Sequence, residues 1–149
     1  MRLALIVEYE GTEYGGFQYQ DNAPSIQQEL ERALFLLTGE RTRVAPAGRT
    51  DAGVHAEGQV VAFDTGAAHP PGTFVKALNH YLPEDIAIRG ASRTSDTFDP
   101  RRMATSRRYM YSLYRGRTRS PLNRRHAFQV TETLNIRRMR ESAGAFIGK

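Results

Sequence analysis

An α+β fold is what this sequence predicts, on three observations. Apolar runs with strand character alternate with two amphipathic helical stretches across residues 1–95. The order is strand, helix, strand, strand, helix, strand. Glycine, proline and polar turn residues separate these runs, and both helices carry start and stop signals.

Each element can be justified in turn. "RLALIVEY", residues 2–9, is apolar and β-branched in its middle and reads as a buried strand. "EGTEYGGFQYQDNAP" is a loop rich in glycine and aromatics. Ser25 with Gln28 three residues on makes a capping-box start, and Ile26, Leu30, Ala33, Leu34 and Leu37 follow at helical spacing. Gly39 ends that helix. "RTRVAPA", residues 41–47, predicts a short strand that Pro46 confines to an edge or a strand end. "GQVVAFDT" is the next strand. "PGTFVKALNHYL" is a second helix, begun near Pro71 and closed before Pro83. "DIAIRGASRT" is the fourth strand, interrupted by Gly90. This βαββαβ order is that of the ferredoxin-like fold, an antiparallel sheet with two helices on one face.

Residues 96–106 read as a linker, and residues 107–149 as the beginning of a second, similar α/β half. Within it, "RRYMYSLYR" predicts a strand with Tyr109, Tyr111 and Leu113 on one face and Met110 and Tyr114 on the other. "GRTRSPLNR" is a basic loop. "LNIRRMRESAGAFIGK" predicts a helix with Ile136, Met139, Ala143, Phe146 and Ile147 on one side. A strand, a loop and one helix cannot bury their apolar faces alone, so a half-domain cut short is expected.

Composition narrows the function classes. The 149 residues are 40% hydrophobic and 25% charged, as in soluble globular proteins. There is no cysteine, which excludes disulfides and thiolate metal sites. The apolar start is too short for a secretory leader, and no apolar run approaches the roughly 18–20 residues of a membrane span. A cytoplasmic protein is expected. Net charge is +5, and nine arginines with no Asp or Glu lie between Asp99 and Glu132, leaving the rest of the chain at −4. That concentration points to a polyanionic partner, and arginine's planar fork suits phosphate.

The candidate chemistry centres on "AGRTDAGVHAEGQVVAF", residues 47–63. Arg49 and Asp51 are two apart and share a face if the stretch is extended. Two readings stand on pattern alone. Asp51 is an ionised carboxylate able to act as nucleophile or base, or it is a turn aspartate with a surface salt bridge. Tyr109 and Tyr111 beside Arg107 and Arg108 suit base stacking, or they are ordinary sheet residues. The four histidines show no paired metal-ligand spacing. "HAE" at residues 55–57 matches half of a zinc deaminase signature, but the required cysteine pair is missing. "GTEYGG" lacks both the Walker lysine and the dinucleotide spacing, while a loop lying against RNA backbone is compatible with it. A non-catalytic RNA-binding module of RRM type needs an aromatic RNP1-like strand, and neither "GQVVAFDT" nor "DIAIRGAS" carries one.

Taken together, "EYEGTEYGGFQYQ", "SIQQELERAL", "AGRTDAGVHAEGQVVAF", "FDPRRMATSRRYMY" and "FIGK" stand in the order found in the tRNA pseudouridine synthase A family, which the whole chain resembles. The resemblance implies an isomerase that converts uridines 38 to 40 of the tRNA anticodon arm to pseudouridine, without metal or cofactor, as a homodimer. It implies that Asp51 is the catalytic carboxylate and that Arg49 positions and ion-pairs it. Tyr109 is expected to stack on the target base or help move its proton. Arg101, Arg102, Arg107, Arg108, Gln18 and Tyr111 are expected to contact the tRNA. The target base sits in a stacked stem and must be flipped out to react. The carboxylate then has three starting points: attack at C1′, addition at C6, or removal of the C2′ proton. The family continues well beyond residue 149, and its remaining half supplies a further arginine and the pocket walls.

Overall fold

The structure, a computed structural model, describes residues 1–148. Two compact units divide the chain, one of residues 1–107 and one from Arg108 onward. The first is an α+β layer of four antiparallel strands and two helices. Its elements are β1 (Arg2–Tyr9), α1 (Ile26–Thr38), β2 (Ala45–Pro46), β3 (Ala56–Asp64), α2 (Pro71–Tyr81) and β4 (Ile86–Thr94). The spatial order is β2-β3-β1-β4.

Strand β1 lies in the middle, with Leu5 opposite both Val61 of β3 and Ala91 of β4. Alternation decides which face is covered. Leu3, Leu5, Val7 and Tyr9 are buried, whereas Ile6 and Glu8 on the opposite face are exposed. The buried face packs with Ile26, Leu30, Ala33 and Leu34 of α1, and with Phe74 and Leu78 of α2. Phe63 and Phe74 bring their ring centres to 5.7 Å. Each such fully buried side chain stabilises the fold by about 1.5–3 kcal/mol relative to exposure.

The helix signals act as local chemistry requires. The Ser25 hydroxyl accepts the Gln28 amide at 3.2 Å, meeting one of the donors that a helix start leaves unpaired. Gly39 turns left-handed, with φ 74°, and donates to the Phe35 carbonyl. Pro71 opens α2, and Leu82 stops it ahead of Pro83.

Three expectations need correction. The strand expected over 41–47 is only Ala45–Pro46. Glu31 takes over the region before it, accepting the Val44 amide at 3.2 Å and approaching Arg43 at 3.4 Å. In the second unit, the strand expected over 107–115 contracts to β5 (Leu113–Arg115), and residues 107–112 lie outside regular structure. β5 pairs in parallel with β6 (Phe128–Val130), a strand the sequence pattern did not indicate. The predicted C-terminal helix is α3 (Ile136–Ala143) followed by a 3₁₀ turn, Gly144–Phe146. Lys149, the end of the predicted helix, lies outside the described residues.

Candidate active-site loop

The loop from Gly48 to His55 joins β2 to β3, so the sheet holds both its ends. Ala47 donates to the Val60 carbonyl at 2.8 Å, and Gln59 donates its side-chain amide to the Gly48 carbonyl. Between those anchors the loop lies against a second one, residues 10–24, which leads from β1 to α1.

The two loops are knitted along their backbones. Phe17 donates to the Thr50 carbonyl at 2.9 Å, and Gly53 donates to the Tyr14 carbonyl at 3.3 Å. Thr50 and Tyr9 share a hydroxyl hydrogen bond of 2.8 Å. The Gly11 amide donates to Nδ1 of His55 at 3.0 Å. Close approach explains the glycines of "GTEYGG". A Cβ on Gly11 would collide with the Val54 carbonyl oxygen. Gly16 has φ 110°, and a Cβ there would lie 2.7 Å from the Thr50 oxygen.

Tyrosines brace this pair of loops from beneath. Tyr14 is buried and donates its hydroxyl to Asp85 at 2.7 Å. Burial first, and then the hydrogen bond to Asp85, push the Tyr14 phenol well above its ordinary range. Burial also raises Tyr9, against the lowering effect of its bond to Thr50.

Asp51 sits at the outer turn of the knitted loop. Its carbonyl accepts the Val54 amide at 3.2 Å, while the residue as a whole is exposed. Arg49 is exposed on the same loop. Among the described residues, no ion pair joins Arg49 to Asp51. The loop therefore offers a carboxylate on a fixed backbone with its oxygens turned to solvent. Such a group can accept a proton or attack an electrophilic carbon. Among the described residues, no three carboxylate or imidazole side chains gather as a metal's ligands would.

The basic residues fall in different settings. Arg101 and Arg102 are exposed, and their backbone amides donate to Asp99 at 2.8 and 3.0 Å. Those bonds, that of Arg102 foremost, hold the Asp99 carboxyl below its usual range. Arg107 is exposed too, and its guanidinium donates to the Ala47 carbonyl at 3.0 and 3.2 Å and to the Arg101 carbonyl at 2.6 Å. Gln18 is exposed on the 10–24 loop. In the second unit Arg108 is exposed, and so are Tyr109 and Tyr111, at 76% and 77%. The Tyr111 ring lies 6.4 Å from that of Phe128. Sequence reasoning missed Tyr9, Tyr14, Thr50 and Asp85 as parts of the loop's support. The glycines of "GTEYGG" were the available signal, since closely approaching backbones need them.

An α+β domain carrying an exposed carboxylate on a loop held between two strands is the class these features define. A family model described as tRNA pseudouridine synthase matches residues 5–101, which contain this loop and the four-stranded sheet except for the first three residues of β1. The chain belongs to the tRNA pseudouridine synthase family. It is 47% identical over 148 residues to a tRNA pseudouridine synthase A of Myxococcus xanthus, covering 99% of this chain and 56% of that protein. A tRNA pseudouridine synthase A of Geobacter sulfurreducens is 46% identical, with 99% and 60% covered. That of Syntrophomonas wolfei subsp. wolfei is 44% identical, with 99% and 59% covered. The chain thus spans somewhat more than half the length of these curated relatives.

Proposed function

We propose that the protein carrying this chain isomerises uridine to pseudouridine in the tRNA anticodon stem-loop, at positions 38–40, with Asp51 as its catalytic carboxylate. The observation that carries this reading is Asp51 itself, solvent-facing on a loop whose flanking residues are bonded to a second loop. A nucleotide flipped from its stack would meet a carboxylate already in place, so little ordering is left for the reacting step.

The reaction asks little else of the protein. The C1′–N1 bond breaks and a C1′–C5 bond forms. C5 loses a proton and N1 gains one, so atoms and electrons balance without oxidant, reductant or cofactor. A carboxylate can begin this at C1′, at C6 or at the C2′ proton. Arg49, two residues away, is proposed to pair with Asp51 when RNA is bound. Tyr109 is proposed to stack on the flipped base or relay its proton. Gln18, Tyr111, Arg101, Arg102, Arg107 and Arg108 are proposed as tRNA contacts, the arginines to phosphates, giving affinity and position rather than sequence choice.

The four-stranded order β2-β3-β1-β4 with two helices supports a ferredoxin-like half over residues 1–95. We propose residues 96–106 as its linker and residues 107–149 as the start of a second such half, in a homodimeric cytoplasmic enzyme. Among the described residues, no helix is long and apolar enough to cross a membrane.

The test is Asp51→Asn in the full-length protein, assayed on unmodified tRNA by carbodiimide labelling of pseudouridine. Turnover should fall by about 10⁴-fold, the scale seen when a reacting group is removed. Binding of tRNA should change little. Near-normal turnover would overturn the assignment, and binding without product by the unaltered protein would make this an RNA-binding module.

A further inference from the structure

We propose that His55 is a positioning residue for Asp51, acting through the Gly11 amide; the inference rests on the catalytic reading of Asp51 given above. Among the bonds that cross between the two loops, besides the hydroxyl pair of Tyr9 and Thr50, three bear on the turn at Asp51. Phe17 to Thr50 fixes the near side of Asp51, and Gly53 to Tyr14 fixes its far side. Both are backbone bonds that any residue could supply. The third, from the Gly11 amide to Nδ1 of His55, depends on a side chain.

That bond sits where the loops approach most closely. Gly11 is buried, and its Cα faces the Val54 carbonyl with no room for a Cβ. A buried amide needs an acceptor, and the imidazole supplies it. To accept, Nδ1 must present its lone pair, so the ring's proton sits on Nε2. His55 is also the last residue before β3, so its backbone is fixed by the sheet. The side chain therefore ties the sheet-anchored end of the Asp51 loop to the end of β1. Glu10 lies alongside, its carboxylate 3.9 Å from Nδ1. Without this tie, the turn from Asp51 to Val54 keeps its own internal bond and its sheet-anchored end but loses a side-chain link to the facing loop.

The geometry makes a specific demand: an acceptor at the place of Nδ1, not an imidazole as such. Asparagine meets it, because its Oδ1 occupies nearly the position of a histidine Nδ1. In the full-length protein, His55→Ala should lower kcat for pseudouridine formation by about ten- to a hundredfold, the scale of a small misplacement of a reacting group. The KM for tRNA should stay within about twofold, since the substrate's main contacts are elsewhere. His55→Asn should recover most of the lost kcat.

Hydrogen exchange gives an activity-independent readout. The Gly11 amide should exchange at least about tenfold faster in His55→Ala than in the unaltered protein, and return toward the original rate in His55→Asn. An Asn variant as impaired as the Ala variant would overturn the proposal, since the imidazole itself would then be required. Unchanged kcat in His55→Ala would overturn it too, as would unchanged exchange at Gly11. If the unaltered protein made no pseudouridine while Gly11 exchange followed the predicted pattern, the tie would stand and the catalytic reading of Asp51 would fall.

Discussion

The two units of this chain use similar apolar patterns to different ends. In residues 1–107, each stripe of apolar side chains meets another: β1 faces α1 and α2, and Phe63 meets Phe74. From Arg108 onward, the same kind of stripe lies open. Ile136 and Met139 of α3 are 52% and 43% exposed, and Phe146 is 91% exposed. No residue of α3 is buried. Periodicity can specify where a helix forms and which side is apolar, but stability comes from what that side packs against.

The contrast can be broken by matched substitutions, the largest effects first. Phe74→Ala should destabilise the chain by about 3–5 kcal/mol in denaturant unfolding, because a fully buried ring leaves a cavity. Phe146→Ala should stay within about 0.5 kcal/mol. Equal costs would mean that Phe146 is packed in solution. Next come two glycines. Gly11→Ala should cost roughly 1–3 kcal/mol, since the loops must part to admit the methyl group. Gly144→Ala, with nothing within 4 Å of the added carbon and a helical backbone, should be neutral or stabilise by up to about 1 kcal/mol.

Helix caps test the same point more gently. Ser25 and Asn135 make the same kind of bond, to Gln28 and Arg138, at 3.2 and 3.0 Å. Ser25→Ala should cost about 1–2 kcal/mol, because its helix is locked into the core. Asn135→Ala should cost about 0.5 kcal/mol or less, detected by loss of helical circular dichroism rather than by a shift of the main transition.

The smallest effect concerns alkaline pH. The folded state raises the Tyr14 phenol above its ordinary value of about 10. Its contribution to stability is therefore complete below about pH 10 and is lost as pH rises through the folded value. Melting temperature followed from pH 8 to 12 should fall along the upper limb, and Tyr14→Phe should flatten that fall. An identical limb in the variant would assign it to another group.

These differences also explain what could be read in the sequence. The two long helices were legible because their signals are local: a cap at Ser25, a stop at Gly39, a proline at position 71, apolar residues every three or four. Strands β1, β3 and β4 were legible as apolar runs. β2 was overestimated because the Glu31 side chain, not a ladder, holds Val44. Residues 107–112 look like a strand to pattern reasoning, yet a strand exists only with a partner, and β6 gives one only to Leu113–Arg115. At the loop, Arg49, Asp51 and the glycines could be picked out by eye. Its fastening could not, because Gly11 and His55 are 44 residues apart and Tyr14 and Asp85 are 71 apart, and no period links them.

Arg107 has one more effect. Strand β2 is an outer strand of the sheet, only two residues long and ending in a proline, which has no amide hydrogen to offer. The guanidinium of Arg107 then caps the Ala47 carbonyl just beyond it. An intruding chain therefore finds little at this border to zip onto. The border defends itself against the edge-to-edge association to which exposed strands are prone, and it does so with a residue that the family resemblance marks as a tRNA contact.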